Sequence, residues 1–142
     1  MSKATLQTID RKITSILTRL PAAAVKTRLP EIKKSEVYVG GTIGPDGRIT
    51  HTILMSEERL VDNWDAGMMF AQQQGGDLPN RIEQAMLWAH HRKLFRERYY
   101  WSNEQFAHDS GYAWGQSFYY GNQSRWHKAV KGMARAVRRV KD

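Results

Sequence analysis

Apolar positions recur along this chain with two different periods. Leu6, Ile9, Ile13, Ile16 and Leu20 are spaced three, four, three and four apart, two heptads of an apolar seam that Leu17 widens. The spacing predicts an amphipathic helix over residues 5–20. Two readings of it stay open: a seam for dimer or trimer formation, or a helix packed on its own domain. Pro21 ends this helix or opens a further turn toward Thr27, and residues 28–35 read as a basic, proline-bearing linker. The chain therefore divides into an N-terminal helical segment and linker, 1–35, and a main domain, 36–142.

Strand formers take over next. Val37, Tyr38, Val39 and Ile43 precede Gly44-Pro45-Asp46-Gly47, and Ile49, Ile53 and Leu54 follow it. Proline at the second turn position and glycine at the fourth predict a hairpin of strands 36–43 and 48–55. Residues 56–61 read as a charged connection. The period then lengthens. Val61, Trp64, Met68 and Ala71 form a core-facing helical stripe over 63–74, with Asp62 or Asn63 as cap and Gly75-Gly76 as stop. A second helix opens at Leu78-Pro79-Asn80, where Asn80 and Glu83 make a capping box; Ile82, Ala85, Met86 and Ala89 are its expected buried stripe, with Trp88 at the edge.

From Tyr99 the period is two. Residues 99–103 predict a strand. Residues 112–120 alternate, placing Trp114, Gln116, Phe118 and Tyr120 on one face and Ala113, Gly115, Ser117 and Tyr119 on the other. Gly121-Asn122 turns the chain, residues 123–128 read as a short strand or ordered loop, and 132–140 as the last strand. Trp64, Trp101, Trp114 and Phe118 are expected in the core.

Composition sharpens the picture at one end. The 142 residues carry a formal net charge of +8. Seven basic residues (Arg125, Lys128, Lys131, Arg135, Arg138, Arg139, Lys141) against Asp142 put six of those charges in the last stretch. A cationic face there would attract nucleic acid, polyanionic glycans or an acidic protein; the other reading is a solvated basic surface. There is no cysteine, which removes disulfides, zinc–thiolate sites and thiol nucleophiles. No signal peptide or apolar transmembrane run is visible. The expected location is cytoplasmic.

The Leu78-Pro79-Asn80-Arg81-Ile82-Glu83-Gln84-Ala85 segment, Tyr100-Trp101-Ser102, Gly111-Tyr112-Ala113-Trp114 and the closing Arg135-Ala136-Val137-Arg138 together resemble the Lcl C-terminal-domain family, many of whose short members are phage- or prophage-encoded. The resemblance covers residues 37–140, and it implies the host cytoplasm as the location of a phage-encoded chain, with a virion component as the other option. It implies an α+β, C-type-lectin-like fold related to formylglycine-generating enzymes: two helices packed on a small, irregular antiparallel sheet, here preceded by the amphipathic N-terminal helix. Asn80 departs from the family's Leu-Pro-Thr-Arg-x-Glu pattern but caps as well, so the motif reads as structural.

Little catalytic chemistry remains. The enzyme relatives need reactive cysteines. Calcium binding would have to come from Asn103, Glu104, Asp109, Asn122 and Gln123, which are scattered and lack a lectin signature. His90 and His91 are adjacent on a helix and diverge by about 100°. No phosphate loop or serine–histidine–acid triad is present. No cofactor, metal or catalytic residue is expected. The candidate site is the polar, aromatic segment around Gly121: Tyr119, Tyr120, Arg125, Trp126, His127 and Lys128. The expected function is non-enzymatic recognition of a protein or anionic glycan partner, in the phage setting a host factor. Nucleic-acid binding through the basic, aromatic C-terminal face is the alternative. An oligomeric assembly role through Leu6, Ile9, Ile13, Ile16 and Leu20 is a third reading.

Overall fold

The structure, a computed structural model, describes residues 29–142, so the amphipathic seam from Leu6 to Leu20 lies outside the described residues. The rest is α+β. The elements in chain order are β1 (Val37–Ile43), β2 (Ile49–Val61), α1 (Trp64–Gln73), α2 (Arg81–His91), a 3₁₀ turn (Arg92–Leu94), β3 (Tyr99–Gln105), β4 (Tyr112–Ser117), β5 (Gln123–His127) and β6 (Gly132–Lys141). The strands make one six-stranded sheet in the order β1-β2-β6-β3-β4-β5. All pairings are antiparallel except a short parallel contact of β3 with β6 at Tyr100 and Met133. Among the described residues no helix is long and apolar enough to cross a membrane.

Local signals placed the elements well. The Gly44–Gly47 turn closes the hairpin, with Gly47 at φ +76°. Asn63 caps α1, its side chain accepting from Ala66 N at 2.7 Å. The capping box of α2 is complete: Asn80 accepts from Glu83 N and Glu83 accepts from Asn80 N, each at 2.8 Å. β2 corrects one expectation. It runs on through residues 56–61 instead of ending in a charged connection, because a register shift between Leu54 and Glu58 absorbs extra residues before pairing with β6 resumes.

Alternation along β6 divides the core. Ala134 and Ala136 join Trp64, Phe70 and Ala71 of α1, together with Tyr99, Trp101 and Ala113. Met133 and Val137 face the other way, onto Leu87 of α2 with Tyr100, Phe95 and Phe118. The two helices thus cover opposite faces of the sheet.

The buried side of α2 is not its apolar stripe. Ile82 is 63% exposed and Ala85 and Ala89 are exposed, Met86 alone of the stripe packs half-buried on the core, and Glu83, Gln84 and Leu87 are buried. The reason is electrostatic. Arg139 of β6 holds Glu83 through two bonds of 2.7 and 2.9 Å and Asp77 through one of 2.7 Å; Thr52 of β2 donates to Glu83 at 2.6 Å. Gln84 donates to Tyr100 O at 3.0 Å. The Leu-Pro-Asn-Arg-Ile-Glu segment is the hub of a buried polar network joining α2 to the middle of the sheet.

Candidate functional site

The same charge pairing takes up three of the seven basic residues of the expected cationic face, Arg138, Arg139 and Lys141. Arg138 makes a two-bond contact with Glu36, and Lys141 reaches Asp46 at 3.0 Å. Arg135 lies over the Phe95 ring and donates to the Met55 and Leu94 carbonyls. With Arg139 on Glu83 and Asp77, the four cations of β6 are held by groups within the molecule. Glu36 feels this strongly: the Arg138 hydrogen bonds pull its pKa down to about 2, against an opposing push from burial. For Arg139, burial alone would weaken the charge, but the Glu83 and Asp77 carboxylates outweigh it and hold its pKa above the ordinary value.

What remains open is the aromatic end of the sheet. Two glycines inside strands build it. A Cβ at Gly132 would lie 2.6 Å from the Trp101 ring nitrogen, and one at Gly115 would lie 2.4 Å from the Tyr99 ring. Both rings therefore lie directly on bare backbone. Tyr99 meets Trp101 edge-on at 5.4 Å and stacks flat against Trp126 at 3.8 Å and 3°. The Tyr99 hydroxyl donates to Ser124 O at 2.8 Å, and burial pushes its pKa upward, so it stays a neutral donor. Trp126 is left 40% exposed at the end of this three-ring row.

Tyr119 and Tyr120 are displayed beside it on a pinned turn. Phe118 is buried and stacks on Phe95 at 4.0 Å. Gly121, at φ +85°, sits against the Trp88 ring, where a Cβ would approach to 2.4 Å. Ser117 Oγ accepts from Tyr120 N at 3.0 Å, and Gly121 N donates to Ser117 O at 3.0 Å. The two tyrosines are 60% and 80% exposed, with rings 4.6 Å apart. They line an open groove of about 440 Å³ with Glu97, Arg98, Tyr99, Asn122, Ser124 and Trp126. A second groove of about 280 Å³ adjoins it, sharing Arg98, Tyr99 and Trp126 and adding Leu60 and Lys131.

The six candidate residues do not form one patch. Trp126, Tyr119 and Tyr120 share the groove. Arg125 and His127 project from the opposite face of β5, against Phe106 at 4.3 Å and Tyr112 at 5.4 Å. Lys128 is half-buried scaffold: its ammonium donates to Gln105 at 2.6 Å and lies over the Trp64 ring, and its carbonyl accepts from Trp64 N at 2.8 Å. Trp114, expected in the core, is half-buried under the Arg81 guanidinium, 3.7 Å from its ring, while Trp101 and Phe118 are buried as expected. Tyr99, Arg98 and Leu60 also line these grooves and were not among the residues expected from the sequence; Lys131 was expected only as part of the cationic face. The available signal was Gly115 and Gly132, each isolated in a strand pattern where a ring approaches the backbone.

The amides and acids near this end are already engaged. Asn103 donates to Asp77 at 2.8 Å, Glu104 accepts from Arg81 N at 2.6 Å, Asp109 accepts from Gly111 N at 2.9 Å, and Gln123 clasps Arg81 through two bonds. Among the described residues no three histidine or acidic side chains converge on a metal position. His51, buried on β2, is held between the Tyr38 hydroxyl at 2.7 Å and Asp142 at 3.1 Å and ties the end of β6 to the hairpin. No protein-family model matches the chain, and no curated protein matches it.

Proposed function

We propose that this chain is a non-enzymatic binding module of phage or prophage type, with the C-type-lectin-like fold of the Lcl C-terminal-domain family. It holds a protein or glycan partner, in the phage setting a host factor, against the groove between Trp126 and Tyr120. The two-helix, irregular six-stranded architecture supports the fold assignment. The observation that carries the function is the contrast between two aromatic sets. Trp101, Tyr99 and Phe118 are locked by packing, while Trp126, stacked on Tyr99, and Tyr119 and Tyr120, on a turn whose backbone is hydrogen-bonded, are left open to solvent. Rigid exposed tryptophan and tyrosine are the usual anchors of recognition surfaces, since they add contact area at small entropic cost.

Nucleic-acid binding is the second reading: Arg138, Arg139 and Lys141 of β6 are taken up by Glu36, Asp77, Glu83 and Asp46, which leaves Arg98, Arg125 and Lys131 near the aromatic groove to carry it. Capture from bacterial lysate on the immobilised full chain, with and without nuclease, separates the two readings. Capture should survive nuclease and be lost in Trp126→Ala and Tyr120→Ala. Capture abolished by nuclease would overturn the proposal.

A further inference from the structure

β5 is one edge of the sheet, and its outer side is regular and, among the described residues, unpaired. Its five residues pair with β4 without a break, whereas the opposite edge strand, β1, carries a register shift at Tyr38–Gly40. Bulges are one way proteins blunt an edge against strand addition. Two backbone bonds flanking β5 fix its orientation: Ser117 N donates to Asn122 O, and Lys128 N donates to Gly111 O, both at 2.9 Å. In an antiparallel ladder these make Ser124 and Trp126 the residues bonded to β4. The N–H groups of Gln123, Arg125 and His127 therefore face the open edge. So do the carbonyls of Gln123 and Arg125; that of His127 accepts from Val130 N at 3.1 Å.

Charge around this edge is unbalanced in one direction. Arg125, Trp126 and His127 are all exposed. Arg98 and Lys131 line the grooves under Trp126, and Glu97 is the only carboxylate among the described residues lining either one. Lys131 has only a loose contact with Asp62 at 3.9 Å. We propose that the β5 edge takes up an extended acidic segment of a partner protein as a seventh strand. This rests on the reading that the Tyr119–Trp126 surface binds a partner.

Main-chain bonds to Gln123, Arg125 and His127 would supply affinity, and alternate side chains would supply specificity. Residues of the added strand on one face would be apolar, meeting Trp126 and Tyr120. Those on the other face would be Asp or Glu, meeting Arg125, and acidic residues flanking the apolar ones would meet Arg98 and Lys131 in the grooves under Trp126. A second copy is the poorer occupant, because β5 carries no carboxylate: an antiparallel pair centred on Arg125 sets like charges opposite each other, and no other register puts an acid opposite Arg125. Residues 1–28 are wrong for the same reason, with six Lys or Arg against one Asp.

The test uses displayed random peptides of about twelve residues, long enough to cover β5 with flanks, selected on the immobilised full chain. The enriched peptides should alternate acidic and apolar residues. Binding the best of them should slow amide exchange at Gln123, Arg125 and His127 by at least about tenfold in the unmodified chain. Arg125→Pro removes one outward N–H at an edge position that tolerates proline, and should weaken binding at least about tenfold, more than Arg125→Gln does. Failure to enrich any peptide, enrichment of basic or uncharged ones, or unchanged edge amides would overturn the proposal. If Trp126→Ala abolishes binding while the edge amides exchange freely, the surface reading stands and strand addition falls. If neither variant changes binding, both fall.

Discussion

Replacing Arg139 by methionine tests the buried network that sets the orientation of α2. The substitution keeps most of the side chain's length and removes its charge. It strands Glu83, whose side chain is 3% accessible, with only the Thr52 hydroxyl and the Asn80 N–H as donors, and it leaves Asp77 with Asn103. Breaking a buried ion pair from one side costs about 3–5 kcal/mol. Arg139 itself is 27% accessible, so water can partly replace it, which places the expected loss near the lower end, at about 3 kcal/mol. That is a large share of the roughly 5–15 kcal/mol that holds a domain of this size. With an m-value of about 2 kcal/mol per molar, the urea midpoint should fall by about 1.5 M with the slope unchanged. Pairing the change with Glu83→Gln removes the stranded carboxylate. The double variant should therefore be more stable than the two single losses predict, by about 1.5–3 kcal/mol. A loss below about 1 kcal/mol for Arg139→Met, or strict additivity, would refute the account of why Glu83 is buried.

Three further outcomes follow from other parts of the structure. Gly115→Ala would drive a methyl into the Tyr99 ring, so it should cost about 1–3 kcal/mol and change the near-ultraviolet dichroism of the Tyr99–Trp126 stack; an unchanged spectrum would argue against that stack. Gly121→Ala meets both a positive φ and the Trp88 ring and should lower stability by about 1–3 kcal/mol, with a neutral result contradicting the pinned turn. Glu36 titrates below its unfolded value, from 4.5 down to about 2, so its contribution is full above the unfolded pKa and disappears as pH falls through about 2. After allowance for nearby solvent it amounts to about 1–2 kcal/mol. The stability gap between the native chain and Glu36→Gln should therefore narrow between pH 4.5 and 2, and a gap that stays constant would be inconsistent with the Arg138 pairing.

Where the sequence could be read, the signals were local. The Gly44–Gly47 turn, the Asn63 cap and the Asn80–Glu83 box each involve residues within one turn of chain, and all three are in place. The errors share another origin. Ile82, Ala85 and Ala89 of the expected α2 stripe point outward, and only Met86 packs on the core, because Glu83 and Gln84 find partners on β2, β3 and β6, distant in sequence. β2 looked short because the residues between Leu54 and Glu58 interrupt its ladder. The C-terminal arginines looked like a free cationic face because their carboxylates lie on the hairpin, the α1–α2 connection and α2. At the site, exposure of Tyr119, Tyr120 and Trp126 was legible from their density around Gly121. The pairing of Trp126 with Tyr99 was not, because it depends on the register of three strands over two glycines.

Recognition is proposed to belong to the open Trp126 and Tyr120 surface and not to the basic last strand. Calorimetric titration of a captured partner, or of a selected peptide, into the native chain and into Trp126→Ala tests it most directly. The account predicts an affinity at least about tenfold weaker, with a thermal midpoint within a few degrees of the native chain because Trp126 is already partly solvated. Unchanged affinity in a folded Trp126→Ala protein would contradict it.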